Sequence, residues 1–457
     1  MSAKPSSKKS IYFRSLGCPK NQLDSEVMLG KLALDGFSIA EEIEDAQVAI
    51  VNTCSFIESA REESIEAILE VADLRKEGAL EALVVTGCLP QRYGRDLAKE
   101  LPEVDAFVGT NQFQKISTIL NETLAGQSRG SYIEGGPSYL YDADTPRMLI
   151  GPQHSTYVKL SEGCDRVCAF CAIPSFRGPF HSRSPESIQK EVQQLAAAGT
   201  REINFIAQDS TAYGKDLPGR PKLADLLKLV DEVEEPVWLR QLYLYPTAVT
   251  DELIETFAGA KRLLPYVDIP MQHASDRVLK AMKRGVTAAH QRKLISRLRD
   301  TIPGLTLRTT VIVGFPGETE EDFQELCEFV RESDFDRLGA FRYSDEEGTT
   351  ALDLADKVDR EVSLDRFQRL MRLQQELMQK KLQKLVGSEQ EILIDQNQGN
   401  RSQGRMASQA PEIDGSVLLA GGATPGDRVQ VRITGVRDVD LEAEPLKPSS
   451  SLPVLQE

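Results

Sequence analysis

Between residues 155 and 386, six short β-prone runs each give way to an amphipathic helical stretch, and this alternation constrains the chain more than any other feature. The runs are Thr156 to Leu160, Ile203 to Ala207, Val237 to Leu244, Val267 to Ile269, Thr306 to Val313 and Leu338 to Tyr343. Strands separated by helical crossovers line up in parallel, with the helices covering the sheet. Six units fall short of the eight that close a barrel, so the pattern predicts an open, partial (β/α)6 barrel. A helical stretch from Ser363 to Leu385 ends the unit, with Gly387 as its stop.

Flanking segments have a different texture. Residues 11–125 repeat the α/β alternation on a smaller scale, with runs at Ile11 to Leu16, Val48 to Val51, Leu83 to Thr86 and Ala106 to Val108. Helices are predicted at Asp24 to Leu34, at Glu58 to Lys76 and around Gln91 to Glu100, which together give an N-terminal open parallel α/β sheet domain. Residues 1–10 read as a flexible N-terminus and 126–154, rich in Gly, Pro and Tyr, as a linker or strand-poor crossover. Over 387–457, short runs such as Ile392 to Ile394, Val417 to Leu419 and Val429 to Ile433 predict a small antiparallel β-barrel of OB-like kind. At 457 residues the chain has room for about three such domains.

Charge and cysteine content narrow the function. Lys and Arg number 54 against 70 Asp and Glu, a net charge of −16, and residues 387–457 carry six Lys and Arg against eleven Asp and Glu. That balance repels a phosphate backbone and attracts a cationic protein, so direct nucleic-acid binding is not expected. No apolar run approaches the roughly 20 residues of a spanning helix, and the lysine-bearing start lacks the apolar core of an export signal, so the expected compartment is the reducing cytoplasm, with no membrane partner. Seven cysteines, an odd number, then point to free thiols, metal ligands or redox groups rather than disulfides.

Cys164, Cys168 and Cys171 are spaced C-x-x-x-C-x-x-C at the end of the first strand of the partial barrel. Three thiolates on one tight loop can hold three irons of a four-iron four-sulfur cluster and leave the fourth open to an outside chelator, which the amino and carboxylate groups of S-adenosylmethionine would suit. A zinc site with His181 as fourth ligand is the other reading. Cys18, Cys54 and Cys88 are instead dispersed, yet each directly follows a strand run (SLGC, VNTC, VTGC) and precedes a helix. Ligand sites in open parallel sheets gather at the carboxyl ends of strands, so these three thiols can converge on a second cluster. Their other reading is three small buried hydrophobes.

The run CDRVCAFC resembles the signature of the radical S-adenosylmethionine superfamily, whose fold is a partial six-unit barrel. Two three-cysteine sites with the dispersed one first, SLGCPKNQLDSE at 15–26, SEGCDRVCAFCAIPSFRG at 161–178 and a tail similar to a TRAM domain extend the resemblance, over nearly the whole chain, to the methylthiotransferase family. LGCPKNQLD, YLYP at 243–246 and DIPMQH at 268–273 resemble the branch acting on ribosomal protein S twelve; Pro19 and Lys20 stand where the tRNA branch usually has another pair.

The resemblance implies a transferase that adds a methylthio group to the β-carbon of one aspartate of that basic protein. It implies S-adenosylmethionine and two four-iron four-sulfur clusters, one on Cys164, Cys168 and Cys171 for radical generation and one on Cys18, Cys54 and Cys88 for sulfur delivery. An electron donor such as a flavodoxin or ferredoxin is expected as partner. Phe170, Gln208, Gly314, Pro316, Gly317 and Glu318 are the expected S-adenosylmethionine contacts, although Gly314 to Glu318 also read as a plain strand-to-helix turn. Arg177 and Arg183 read as solvated or as carboxylate-binding, Gln272 and His273 as strand-end residues facing the cavity with a structural histidine, and Cys327 as core. The alternatives are a tRNA adenosine methylthiotransferase, a ferredoxin-like carrier and a structural zinc protein.

Overall fold

A computed structural model of the chain describes residues 9–127, 130–133, 135 and 138–446. Most of the expected N-terminal segment, and residues 447–457 of the tail, lie outside the described residues.

The first layer is a six-stranded parallel sheet in the order β2-β1-β3-β4-β5-β6, formed by Ser10–Ser15 (β1), Ser38–Ala40 (β2), Val48–Thr53 (β3), Ala82–Gly87 (β4), Ala106–Gly109 (β5) and Gly130–Tyr132 (β6). Strands β3 and β4 are buried at every position, as strands covered on both faces must be. Helices Pro19–Leu34 (α1), Glu58–Lys76 (α2), Cys88–Glu100 (α3) and Ile116–Leu124 (α4) cover them. Two of these start earlier than apolar periodicity suggests. Pro19 takes the first helical position of α1, where a missing N–H costs nothing, and Cys88 itself opens α3. Strands β2 and β6, three residues each, are too short for a period to register, and β6 arises within the segment read as a linker.

The central layer is a second parallel sheet, β14-β13-β12-β11-β10-β7, in strict sequential order. Its strands are Ser155–Lys159 (β7), Glu202–Ile206 (β10), Trp238–Gln241 (β11), Leu263–Asp268 (β12), Thr306–Val313 (β13) and Arg337–Arg342 (β14); a ribbon of Ser161–Glu162 (β8) and His181–Ser182 (β9) brackets one loop. Its two ends, β14 and β7, do not pair, so six units leave the barrel open. The helix Arg360–Gln383 leads into the tail.

The tail is a closed five-stranded barrel, Glu389–Asn397 (β15), Arg401–Met406 (β16), Val417–Ala420 (β17), Arg428–Arg437 (β18) and Asp440–Pro445 (β19). It is not wholly antiparallel: β17 and β19 run parallel, because the Greek-key-like path returns β19 beside β17. Arg405 and the fully buried Arg240 share Glu202 at 2.7 and 2.8 Å, and Tyr266 donates to Asp414, so the tail seals the amino-terminal end of the central sheet. One apolar core joins β1 and α1, the inner face of the central sheet (Tyr157, Ile206, Leu242, Tyr266) and Leu393 and Ala410 of the tail. No helix among the described residues is long and apolar enough to cross a membrane.

Candidate active site

Cys18, Cys54 and Cys88 stand at the carboxyl ends of β1, β3 and β4. Strand order reverses between β1 and β3, and a crevice at such a switch point is where open α/β sheets bind ligands. The glycines before two of the cysteines make the approach possible. Gly17, at φ +91°, sits so close to Cys54 that a Cβ would lie 2.7 Å from the Cys54 Cβ. Gly87, at φ +101°, would place a Cβ 2.3 Å from Asn52 Oδ1 and 2.5 Å from the Thr53 carbonyl. Cys18 is exposed; Cys54 and Cys88 are buried. Burial, then the Cys18 charge, pushes the Cys54 thiol up, and burial pushes Cys88 up to about 12 against the pull of Arg177. The three thiols thus lie within one another's electrostatic reach.

The compact trio lies between β8 and β9. Gly163, at φ +75°, has no room for a side chain, since a Cβ would meet the Pro179 carbonyl at 2.1 Å. Cys164 N–H donates to the Gly178 carbonyl (3.1 Å), Cys171 N–H to the Cys168 carbonyl (3.2 Å), and Ala169 is pinned on both sides by Met282 and Ala351. Arg284 donates to Cys168 Sγ at 3.4 Å, and the Arg166 amide donates to Cys164 Sγ at 3.4 Å. Burial raises the Cys164 thiol to about 11 and Cys171 to about 12.

Among the described residues no three Cys, His, Asp or Glu side chains are close enough to share one metal ion. Mononuclear zinc gathers its donors around a single ion, whereas a cubane meets each sulfur at a different iron, and three free thiols at each site are the donor set that chemistry calls for. Cys327 lies apart in the apolar core, as expected.

Between the trios runs a buried charge network that sequence reasoning missed. Lys159 binds Asp24 at 2.7 Å and Glu162 at 2.6 Å, and Arg177, closing the short helix Ile173–Arg177 (α5), binds Asp24 at 2.6 Å and donates to Cys88 Sγ at 3.1 Å. Burial would raise the Glu162 pKa, but Lys159 and then Arg177 hold it at about 2. Arg177 is therefore neither solvated nor free for a ligand carboxylate. Arg183 is likewise committed, buried against Glu191 at 2.5 Å. The pairs that Lys159 and Arg177 make with Asp24 exist because helix α1 packs against β7.

The other expected cofactor contacts fall around the compact loop. Phe170 packs with Phe315, Met282 and Ile312. Gln208 donates to Glu162, while Asp209 caps the next turn and pairs with Arg166 at 2.6 Å. Gly314 and Gly317 both have positive φ, and Pro316 is buried. Glu318 does not enter the following helix, which begins at Glu320; it turns inward to accept from the Gly314 amide (2.9 Å) and to bind Arg366 (2.7 Å). What this segment offers a ligand is its backbone. His273 is fully buried, its Nε2 3.3 Å from Glu318, a structural placement.

Lys20, Tyr243 and Asp268 complete the mouth of the central sheet. Lys20 Nζ lies 3.2 Å from the centre of the Tyr243 ring, and burial lowers its ammonium to about 8. Tyr243 holds φ +64°, as Gln272 on the next strand end holds φ +71°. Bulky residues seldom adopt this region, so nothing in the sequence announces it. Two cavities, of about 490 and 390 Å³, lie at the seam between central sheet and tail, lined by none of the six cysteines.

Family models match along the chain: the uncharacterized protein family UPF0004 over residues 10–109, the radical SAM superfamily over 158–330 and the TRAM domain over 386–446. The ribosomal protein uS12 methylthiotransferase RimO of Myxococcus xanthus is 48% identical over 439 residues, covering 95% of this chain and 91% of the relative. The protein of the same name from Geobacter sulfurreducens is 46% identical over 441 residues, covering 96% and 98%. Among solved structures, the radical S-adenosylmethionine methyltransferase TsrM of Kitasatospora setae shares the fold at a TM-score of 0.55 and 14% identity, covering 73% of each chain.

Proposed function

Since the chain belongs to the family of ribosomal protein uS12 methylthiotransferases, we propose that it attaches a methylthio group to the β-carbon of one aspartate of uS12. It is a radical S-adenosylmethionine enzyme with two four-iron four-sulfur clusters. Cys164, Cys168 and Cys171 hold one cluster, and Cys18, Cys54 and Cys88 hold the other. When bound, the first supplies the electron that cleaves S-adenosylmethionine and the second supplies sulfur.

The observation that carries this reading is the convergence of two incomplete thiol sets across a single buried network. Arg177 belongs to the compact loop's helix yet donates to Cys88 of the other set. Lys159, Asp24 and Glu162 hold that arrangement rigid, and groups held by the two thiol sets would thereby keep a fixed mutual placement. Gln208, fixed by Glu162, Phe170 and the backbone of Gly314 to Gly317 line the S-adenosylmethionine side. The tail is fastened to the central sheet through the Arg240, Glu202 and Arg405 pairs.

The acidic tail and net charge of −16 favour a cationic protein substrate over tRNA, and relatives named for uS12 at 46–48% identity favour the same branch. The electron donor is a flavodoxin or ferredoxin, and the compartment is the cytoplasm. Anaerobic incubation of reconstituted enzyme with S-adenosylmethionine, reductant and sulfide, offering uS12 or tRNA, tests the assignment by mass spectrometry. A methylthio group on uS12 alone is expected; one on tRNA adenosine would overturn it.

A further inference from the structure

Lys20 is a cation without a carboxylate partner among the described residues. Its ammonium makes no ion pair or hydrogen bond with any described residue and rests only on the face of Tyr243, at 3.2 Å. The carboxylates nearest to it are already taken. Asp268 binds Arg308 at 2.9 Å and accepts the Tyr243 amide at 3.0 Å. Glu162 is divided between Lys159 and Arg177. Among the charged groups around it Cys18 comes first, then Asp268 and Glu162, while the buried Arg177 adds a like charge. A half-buried ammonium normally finds a carboxylate, because desolvation without pairing is costly.

The surroundings hold it there. Tyr243 keeps its left-handed backbone because Asp268 takes its amide and its carbonyl accepts from Ser210 at 3.0 Å. Strain of this kind persists where surrounding structure fixes it, and here it turns the ring beneath Lys20. Lys20 sits two residues from Cys18, at the start of α1, where the helix dipole also favours a negative guest.

We propose that Lys20, seated on Tyr243, receives the side-chain carboxylate of the substrate aspartate and so fixes its β-carbon between the two thiol sets. This deepens the reading above and rests on it. A charge-assisted hydrogen bond in so enclosed a place distinguishes aspartate from asparagine, which offers the same shape without the charge. Lysine, a compact point charge on a flexible stem, suits one carboxylate oxygen at a time.

The test is a four-cornered binding cycle with reconstituted full-length enzyme and intact uS12. Wild-type enzyme and K20M are each titrated with uS12 carrying the target aspartate or asparagine in its place, and iron is counted in both enzymes. Wild type is expected to bind the aspartate form about tenfold more tightly, K20M to bind both forms within about twofold, and iron content to be equal. Equal losses for both forms of uS12, absence of discrimination by wild type, or loss of iron from K20M would each overturn the assignment, the last because Lys20 would then serve the neighbouring cluster. Failure of wild type to modify uS12 at all would instead overturn the proposed function, so the two failures read differently.

Discussion

The two cysteine trios occupy opposite extremes of how a chain can assemble one kind of site. Cys164, Cys168 and Cys171 lie on one loop, close in sequence, that is shaped by its own hydrogen bonds and one glycine and pinned from outside through the backbone of Ala169. Cys18, Cys54 and Cys88 come from three strand ends, and only the parallel register of β1, β3 and β4 brings them together. The first is a local device carried by a loop. The second is a property of a sheet, and it inherits every weakness of the sheet's packing.

The sharpest break of that comparison is chemical. Cys168→Ala is expected to abolish cleavage of S-adenosylmethionine to 5′-deoxyadenosine, whereas Cys54→Ala is expected to retain cleavage and lose the methylthio product. Chromatography of the nucleoside and mass spectrometry of uS12 measure the two; product from the Cys54 variant would erase the division of labour.

Arg177→Met crosses between the regions, because the residue follows the compact loop but serves Cys88, Asp24 and Glu162. Removing one partner of a buried charge network costs about 3–5 kcal/mol. Denaturant unfolding is expected to show that loss, with the iron of the dispersed site leaving first; loss from the compact loop alone would invert the comparison.

Paired glycine variants sharpen it further. Gly87→Ala must displace Asn52 and Thr53, and Gly163→Ala must displace Pro179, each against a positive φ. A penalty of about 2–3 kcal/mol is expected for either, with each variant retaining roughly half the wild-type iron, at the other site.

The smallest expected effect uses Glu202, a carboxylate that touches neither trio. Burial would raise its pKa, but Arg405 and then Arg240 hold it at about 2, below the usual glutamate value of 4.5. A depressed carboxylate stabilises the fold fully above its unfolded pKa and loses that contribution as pH falls toward its folded one. Stability should therefore decline between about pH 4.5 and 2, and less steeply in Glu202→Gln, as followed by circular dichroism.

Much of this molecule was readable beforehand. Thr306–Val313 is a strand end to end, and all six central strands lie within a few residues of their β-prone runs, because β-branched and apolar side chains fit a pleated, largely buried surface. Strands of three residues, β2 and β6, leave no such trace. Helix starts at Pro19 and Cys88 were overlooked because polar first turns lack apolar periodicity, although that is what sets both cysteines at helix N-termini. The burial of Arg177 is not legible in the sequence, since a charge does not reveal its partner when Asp24 lies 153 residues away; Arg183 pairs with Glu191 only eight residues on, but burial of that pair depends on packing.

The sequence by itself determined the kinds of layer, the compact thiol loop and the candidates for the dispersed one, since propensity, periodicity and close spacing act over a few residues. Only the tertiary structure decided that Arg177 would reach Cys88, that Asp24 and Glu162 would neutralise Lys159, and that Lys20 would be left on Tyr243 without a carboxylate partner. Those outcomes depend on which strand ends become neighbours, and the pairing of charges in a buried space is settled by which elements pack together, not by residues adjacent in the chain.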